Sequence, residues 1–421
     1  MRAPLLLALL ALPAFAQSSA PSAAPPPAPP AVKLGEKGFV LESADGDFRL
    51  RFSGLIQADG RFFVGGGEGA VANTLLLRRV RPIVDGTVFG LYDFRFMPDF
   101  GGGRAQIQDA YVDAHPSKAL RVRAGRYKAP FGLEFLQSDA FLPFSERALP
   151  TNLVPGRDVG LQLHGEAQAG VLSYAVGVFN GAPDGGNLEG DDEDGKDAVA
   201  RVFAHPLRPL GVPALQNLGV GLAASYGRTG GAANLPQYRT AGQQVFFRYR
   251  AAAAGGVPGA VAQGERVRLS PQAYWYVGPL GLLSEYVRSS QEVAVGDGAA
   301  VRLTHSAWNA TGSLVVYGGS AGYEGVKVRA PFRPSLGEWG ALEVALRYSA
   351  LDVDADAFPL FADPAASARA ARAAALALNG YLNAFTRVSL HLERTTFDGG
   401  AAAGADRPAE QLVLGRLQLN F

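Results

Sequence analysis

The sequence predicts an all-β protein, an antiparallel β-barrel that crosses a membrane. Three observations carry this reading. Segments alternating apolar and polar residues recur from one end of the chain to the other. Residues 1–16 read as an export leader. After them, no apolar run is long and pure enough for a membrane helix, which needs ~20 residues. A chain that enters lipid without such a helix must close a sheet on itself, because only a closed sheet pairs every backbone N–H and C=O.

The leader has Arg2 as its positive end, Leu5 to Leu12 as its apolar stretch, and Ala14-Phe15-Ala16 as its cleavage pattern, which leaves Gln17 first in the mature chain. Residues 17–44 follow as a Pro/Ala-rich periplasmic linker, since QSSAPSAAPPPAPPAVKL offers no core and proline cannot donate to a ladder. The barrel is expected over 45–421. Charged residues make up 18 % of the chain, below the roughly 25 % usual in soluble domains. A net charge of +1 predicts no nucleic-acid partner. Cysteine is absent, which excludes disulfide and thiolate-metal frameworks.

Along the chain, 48–59 places Phe48, Leu50, Phe52 and Ile56 on one face and Arg49, Arg51, Ser53, Gln57 and Asp59 on the other, with Leu55 out of pattern. Residues 245–250, 342–349 and 387–394 alternate in the same way. Period 2 with one apolar face is a sheet with one side away from water. A soluble sandwich would alternate too, yet it rarely needs so many long paired strands. The stretch 412–421 puts Val413, Leu417, Leu419 and Phe421 on one face and Arg416, Gln418 and Asn420 on the other. Such a final amphipathic strand ending in Phe421 resembles the closing strand of bacterial outer-membrane barrels, which assembly machinery reads. Short turns fall at 116–118 and 382–384, and long loops at 181–197 and 354–374, the second with helical propensity in SARAARAAALAL that could equally begin a strand. Trp275, Trp308, Trp339, Tyr92, Tyr274 and Tyr348 suit the interfacial girdles of a barrel.

One stretch breaks every period. Residues 125–165 carry Arg126, Lys128, Arg147 and Arg157 among Glu134, Asp139, Glu146 and Asp158, with Phe131, Phe135, Phe141 and Phe144 between them. It holds too many prolines for a helix and too many large apolar residues for disorder. It reads as an ordered loop folded into the barrel as a constriction, with strands at 120–126 and 159–164 on either side.

The blocks GRYKAPFGLE, FSERALPT and GRDVGLQLHG in this stretch resemble the phosphate-selective porin O and P family of outer-membrane channels. LLRRVRPIVDGTVFG at 76–90, GVFNGAPDGG into DGKDAVARVFAHP at 177–206, and GEWGALEVALRYSALDVD at 337–354 match in the same order. The resemblance covers nearly the whole mature chain. It implies about 16 strands, where the sequence alone gives roughly 14 to 18. It also implies a homotrimer in outer-membrane lipid and lipopolysaccharide, and passive diffusion of small solutes, anions and phosphate among them.

The residues themselves offer matching chemistry. Arg49 and Arg51, Arg79 and Arg81, Arg121 and Arg123, Arg248 and Arg250, and Arg266 and Arg268 each place two guanidiniums on one strand face. In a barrel that face is the lumen, because arginine on the lipid face costs ~2–4 kcal/mol at the midplane. With Arg126, Lys128, Arg147, Arg157 and Arg201 they form the expected anion-attracting pore lining. Asp85, Asp109, Asp113 and Glu343 on lumen faces set a mixed-charge lumen with mild or no anion preference against that reading. The acidic run Asp191-Asp192-Glu193-Asp194 reads as a solvated loop or a loose divalent-cation site. The five histidines are scattered without HxxxH or HExxH spacing, and no metal, cofactor or enzymatic chemistry is expected. The competing reading from another class is a non-conducting structural or adhesive barrel.

Overall fold

The computed structural model of the chain describes residues 31–35, 38–65, 72–188, 190, 194–252, 258–296 and 298–421. The leader at 1–16, most of the linker, and Asp191, Asp192 and Glu193 of the acidic loop lie outside the described residues.

Sixteen antiparallel strands close into a barrel. They are β1 (Arg49–Phe63), β2 (Thr74–Val88), β3 (Tyr92–Asp99), β4 (Gln106–Ala114), β5 (Arg121–Lys128) and β6 (Arg157–Ala167). Next come β7 (Leu172–Phe179), β8 (Asp197–Ala204), β9 (Leu218–Gly231), β10 (Ala260–Val277) and β11 (Leu280–Val295). The rest are β12 (Val301–Tyr317), β13 (Ala341–Asp352), β14 (Ala368–Tyr381), β15 (Thr386–Gly399) and β16 (Glu410–Asn420). β16 pairs back onto β1, with Leu412 opposite Phe63 and Asn420 opposite Leu55, so the sheet has no edge at the seam. A further strand, Gly38–Glu42, pairs with residues 49–52 of β1, so sheet pairing begins inside the 17–44 stretch expected as linker.

Alternation sorts the wall. On β13, Leu342, Leu346 and Tyr348 point outward and Glu343, Arg347 and Ser349 inward. On β15, Val388, Leu390 and Leu392 point outward, and Arg387, Ser389, His391 and Glu393 inward. Leu55, out of pattern in the sequence, faces inward and is buried. The Ala-rich stretch at 368–378 resolves as β14, a strand rather than a helical turn. Its inward Ala371, Ala373, Ala375 and Ala377 leave room for what fills the lumen.

Three expectations change. Residues 245–250 are not a wall strand: Val245–Arg248 pairs with Gln237–Arg239 in a hairpin between β9 and β10. Its consecutive Phe246 and Phe247 are both fully buried, because protein surrounds the hairpin on both sides. Arg248 and Arg250 are exposed, and Arg250 donates to the carbonyls of Pro359 and Leu360. Tyr274 is no girdle residue; its ring stacks on Tyr323, 5.0 Å between centroids. Finally, the turn side is not uniformly short, since 318–340 forms a long connection between β12 and β13 carrying two short hairpins. Its run GGSAG at 318–322 has the spacing of a nucleophile elbow, but Ser320 sits opposite Lys327 in a hairpin instead of between strand and helix.

An apolar core lies where loops meet the inner wall. Phe131, Phe135, Leu149 and Leu153 from the segment between β5 and β6 join Tyr238, Phe246 and Phe247 from the β9–β10 loop. They pack against Val287, Val293, Leu303 and Leu351 of β11, β12 and β13.

Candidate pore constriction and lumen

The segment 129–156 leaves β5 and returns to β6 after crossing the inner wall. It contains a helical turn, α1 (Leu133–Leu136), and a 3-10 turn at Leu149–Leu153, and is bound by inward side chains from strands far apart in sequence. Glu285 of β11 accepts from the backbone N–H of Leu133 (2.7 Å) and Glu134 (3.1 Å). Arg347 of β13 donates to Glu146 O at 2.8 Å, Asn379 of β14 to Pro143 O at 2.8 Å, and Arg387 of β15 to Leu142 O at 2.7 Å. From β16, Arg416 donates to Ser145 O (2.6 Å) and Gln418 to Ala140 O (3.0 Å). Gln57 of β1 donates to Asp139 O at 3.1 Å. The prolines and aromatics that break every period thus form an irregular chain whose carbonyls are satisfied by the wall.

Two loop carboxylates gather the arginines. Asp139 takes Arg79 at 3.2 Å together with Arg81 and Arg147. Glu146 takes Arg78 at 2.6 Å, Arg61 at 3.2 Å and Arg416 at 3.5 Å. Asp99 pairs with Arg81 at 2.7 Å, and Asp59 holds Arg416 through two bonds of 2.7 Å. Six guanidiniums therefore face four carboxylates here. Beside them, among the described residues, Lys128 Nζ donates only to carbonyls, Phe135 O at 2.6 Å and Gln137 O at 2.9 Å. Burial alone would raise the Asp139 and Glu146 carboxyls. Arg147, Arg79 and Arg81 around the first, and Arg78 and Arg79 around the second, outweigh it and hold both below the usual carboxylate range.

A β-bulge explains why Arg78 and Arg79 both reach this cluster. Gln57 pairs with Arg79 and Ala58 with Leu77, so Arg78 is the extra residue and its side chain turns inward beside its neighbour's. Sequence reading missed Arg78, along with Arg61 and with Arg95, which pairs with Asp85 and Asp109, and it placed Arg416 on the polar face of the last strand without a role. The adjacent arginines in LLRRVR, which break strict alternation, are the one local signal of the bulge.

The remaining expected residues divide by wall. Arg51 pairs with Asp85 at 2.8 Å, Arg121 with Asp93 at 2.7 Å, and Arg123 with Asp113 at 2.5 Å. Their side chains keep 24–30 % exposure and stand on a water-accessible surface. Arg49 stands exposed at the turn-side end of β1. Arg157 is buried against Asp109 at 2.9 Å, and Arg126 donates to Leu188 O. On the opposite wall, Arg266 and Arg268 face inward but are sealed. They hold Asp197 at 2.9 and 2.8 Å, and Arg268 holds Asp184 at 2.6 Å, which clamps the loop between β7 and β8. These two are tethers, not a solvent-facing anion column.

At the turn side a cavity of about 550 Å³ is lined by Lys118, Arg121, Arg123, His164, Glu166 and Arg201. Arg201 donates to Gln272 at 3.0 Å and lies over the Phe203 ring at 4.7 Å, with no carboxylate partner among the described residues. The 318–340 connection reaches the constriction from the same side. Tyr323 donates its hydroxyl to Leu133 O and accepts from Gln137 Nε2 at its carbonyl, both at 2.6 Å.

A closed sixteen-strand barrel with an apolar outer wall and a charged, loop-narrowed lumen is an outer-membrane channel of the porin class. The chain belongs to the phosphate-selective porin O and P family, whose family model matches residues 52–421. No curated protein matches the sequence. Among solved structures, the outer membrane channel DcaP of Acinetobacter baumannii is similar at 11 % identity and a TM-score of 0.58, over 91 % of this chain and 100 % of that one. An anion-selective porin from Comamonas acidovorans is similar at 13 % identity and 0.56, over 89 % and 100 %. OmpT of Vibrio cholerae is similar at 10 % identity and 0.57, over 89 % and 98 %. At these identities the likeness concerns the fold.

Proposed function

We propose that this outer-membrane porin prefers small anions, phosphate among them, and passes them by passive diffusion along the wall of β1 to β8. The observation that carries the reading is the turn-side cavity. Lys118, Arg121, Arg123 and Arg201 line it, and among the described residues Glu166 is the one carboxylate in its lining. Around Asp139 and Glu146 six guanidiniums face four carboxylates, a local surplus of the same sign that Glu134 and Glu393 beside Arg347, and Glu285 at Leu133, partly offset. Most lumen arginines carry a carboxylate partner, so the preference is moderate: partly neutralised pairs attract anions less than bare guanidiniums do. Guanidiniums take phosphate oxygens bidentately, which favours phosphate over chloride as an occupant.

Several companion features belong to this reading. The leader at 1–16 and the linker after it rest on sequence. A homotrimer is supported by the family and by a similar structure described as a trimer form, OmpT of Vibrio cholerae, at 11 % identity. The amphipathic β16 ending at Phe421 supports recognition by barrel-assembly machinery.

Planar-bilayer recording with asymmetric potassium chloride tests the function. The expected reversal potential has the sign of anion permeation, and millimolar phosphate lowers the chloride current. A reversal potential at zero with no effect of phosphate would leave a general porin.

A further inference from the structure

On the outer wall, aromatic residues mark a level at which outward side chains turn from apolar to charged. On β11 the outward positions Leu282, Ser284 and Tyr286 are followed by Arg288, Ser290 and Glu292. On β12, read from the turn side, Leu314 and Trp308 give way to Ser306 and Thr304. Trp308 meets Tyr348 of β13, 5.6 Å between ring centroids. Aromatic girdles of this kind sit at the membrane interfaces, and the charged outward positions beyond this one, Arg288, Glu292 and Arg302, lie on its loop side, the external side of such barrels. Arg288 therefore stands at the head-group level of the outer leaflet.

Arg288 is exposed and makes no ion pair or hydrogen bond among the described residues. Its neighbour Arg302 differs, being held by Glu265 at 2.7 Å and Glu292 at 2.9 Å. From Arg288 a cross-strand row runs through Leu269, Ala224 and Ala200 to Val176. The two alanines lower the floor between larger neighbours, and the row lies in a groove of about 570 Å³ on the outer wall. At its charged end Ser290 and Thr304 join hydroxyls at 2.8 Å.

The geometry points to a seat for a phosphorylated glycolipid of the outer leaflet. Its phosphate pairs with the Arg288 guanidinium, and an acyl chain lies in the groove over Ala200 and Ala224. The Ser290 and Thr304 hydroxyls and the carboxylates Glu265 and Glu292 are poor company for a bare phosphate. They are suitable hydrogen-bond partners for sugar hydroxyls, which favours a glycolipid over a glycerophospholipid. The seat faces away from the lumen, so it stands or falls separately from the anion preference of the pore.

The test is native mass spectrometry of the full chain in mild detergent, titrated with lipid A and, in parallel, with phosphatidylglycerol. The wild-type protein is expected to retain lipid A in preference to phosphatidylglycerol. Arg288→Glu removes a charge-assisted phosphate contact and should lower retention by about tenfold. Arg288→Lys should keep most of it, and Ala200→Trp should lose it by filling the groove with the charge intact. Heat-modifiable migration identifies folded variants; should Ala200→Trp not assemble, the Arg288 pair decides. Equal retention of both lipids, or unchanged retention in Arg288→Glu, overturns the proposal. So does cross-linking between two copies of the Ala224→Cys variant, which would make the groove an interface between protomers.

Discussion

Phe421 and Gly54 close the barrel. Gly54 N–H donates to Phe421 O at 2.8 Å, and Phe421 N–H to Gly54 O at 3.1 Å. A Cβ on Gly54 would stand 2.9 Å from the Phe421 ring, so the glycine makes the space the ring occupies. The seam between first and last strand therefore depends on a residue lacking a side chain on one side and an outward aromatic on the other.

Gly54→Leu should force that ring off the wall, at about 1–3 kcal/mol as for overpacked sites. Deleting Phe421 removes the ring and both hydrogen bonds together. Both variants are expected to fold more slowly and give less heat-modifiable barrel, with the deletion worse. Wild-type yields from both would show that the seam is set by the rest of β16.

The tether of the constriction has a defined pH dependence. Asp139 and Glu146 have lowered folded-state pKa values, whereas an unfolded carboxyl titrates near about 4. Their contribution is thus present above about pH 4 and is lost only as pH falls through the lower folded values. In a Glu285→Gln background, which removes the β11 carboxylate that also holds Leu133 and Glu134, single-channel conductance at about 1 M salt, where screening shortens to ~3 Å, should stay constant from pH 7 to pH 4. Asp139→Asn should disturb it already at pH 7, because three guanidiniums lose a buried partner, a change costing about 3–5 kcal/mol. Conductance that drifts between pH 7 and pH 4 in the Glu285→Gln background, or an Asp139→Asn channel like the wild type, would argue against this tether.

Accessibility should follow the hydrogen bonds. Arg147 is bound to Asp139 and to Gln137 O at 2.8 Å, whereas Lys196 in the loop before β8 is exposed. Trypsin added to intact cells should cut after Lys196 and spare Arg147. Cleavage at Arg147 as fast as at Lys196 would place 129–156 outside the barrel.

The wall was legible in the sequence because lipid on one side and protein or water on the other impose a period of two. Leu342 to Ser349 and Arg387 to Glu393 show it residue by residue. The same signal misled at 245–250, where a hairpin packed inside the barrel alternates as a wall strand does. Which inward arginines meet water was not legible. Arg266 and Arg268 look like Arg121 and Arg123 in one dimension, and differ only because Asp184 and the loop around it fold back onto them. The role of Tyr323 was hidden for the same reason, since its partners Leu133 and Gln137 lie far away in the chain.

Arg121 and Arg123 decide the functional reading. Both line the turn-side cavity, and both lean on Asp113, with Arg121 at 3.2 Å and Arg123 at 2.5 Å. Asp113 itself is fully buried, so the cavity presents the guanidiniums more than their counter-charge. Replacing both by Ala removes two positive charges from the water-accessible wall and leaves the lipid face untouched, so the barrel should still assemble. Asp113 keeps His164 at 3.1 Å, but the balance in the cavity turns toward negative. The reversal potential should then move toward cation permeation, most clearly at low salt, where the Debye length reaches about 30 Å at 0.01 M. Phosphate should also lose its effect on the chloride current, because the bidentate partners are gone. Replacing Arg266 and Arg268 by Ala is the matched comparison: two charges are again removed, but from sealed positions. That variant should lose loop order and stability while its phosphate response stays closer to wild type. If the two double variants shift selectivity equally, the total lumen charge governs permeation and the cavity has no special part in it.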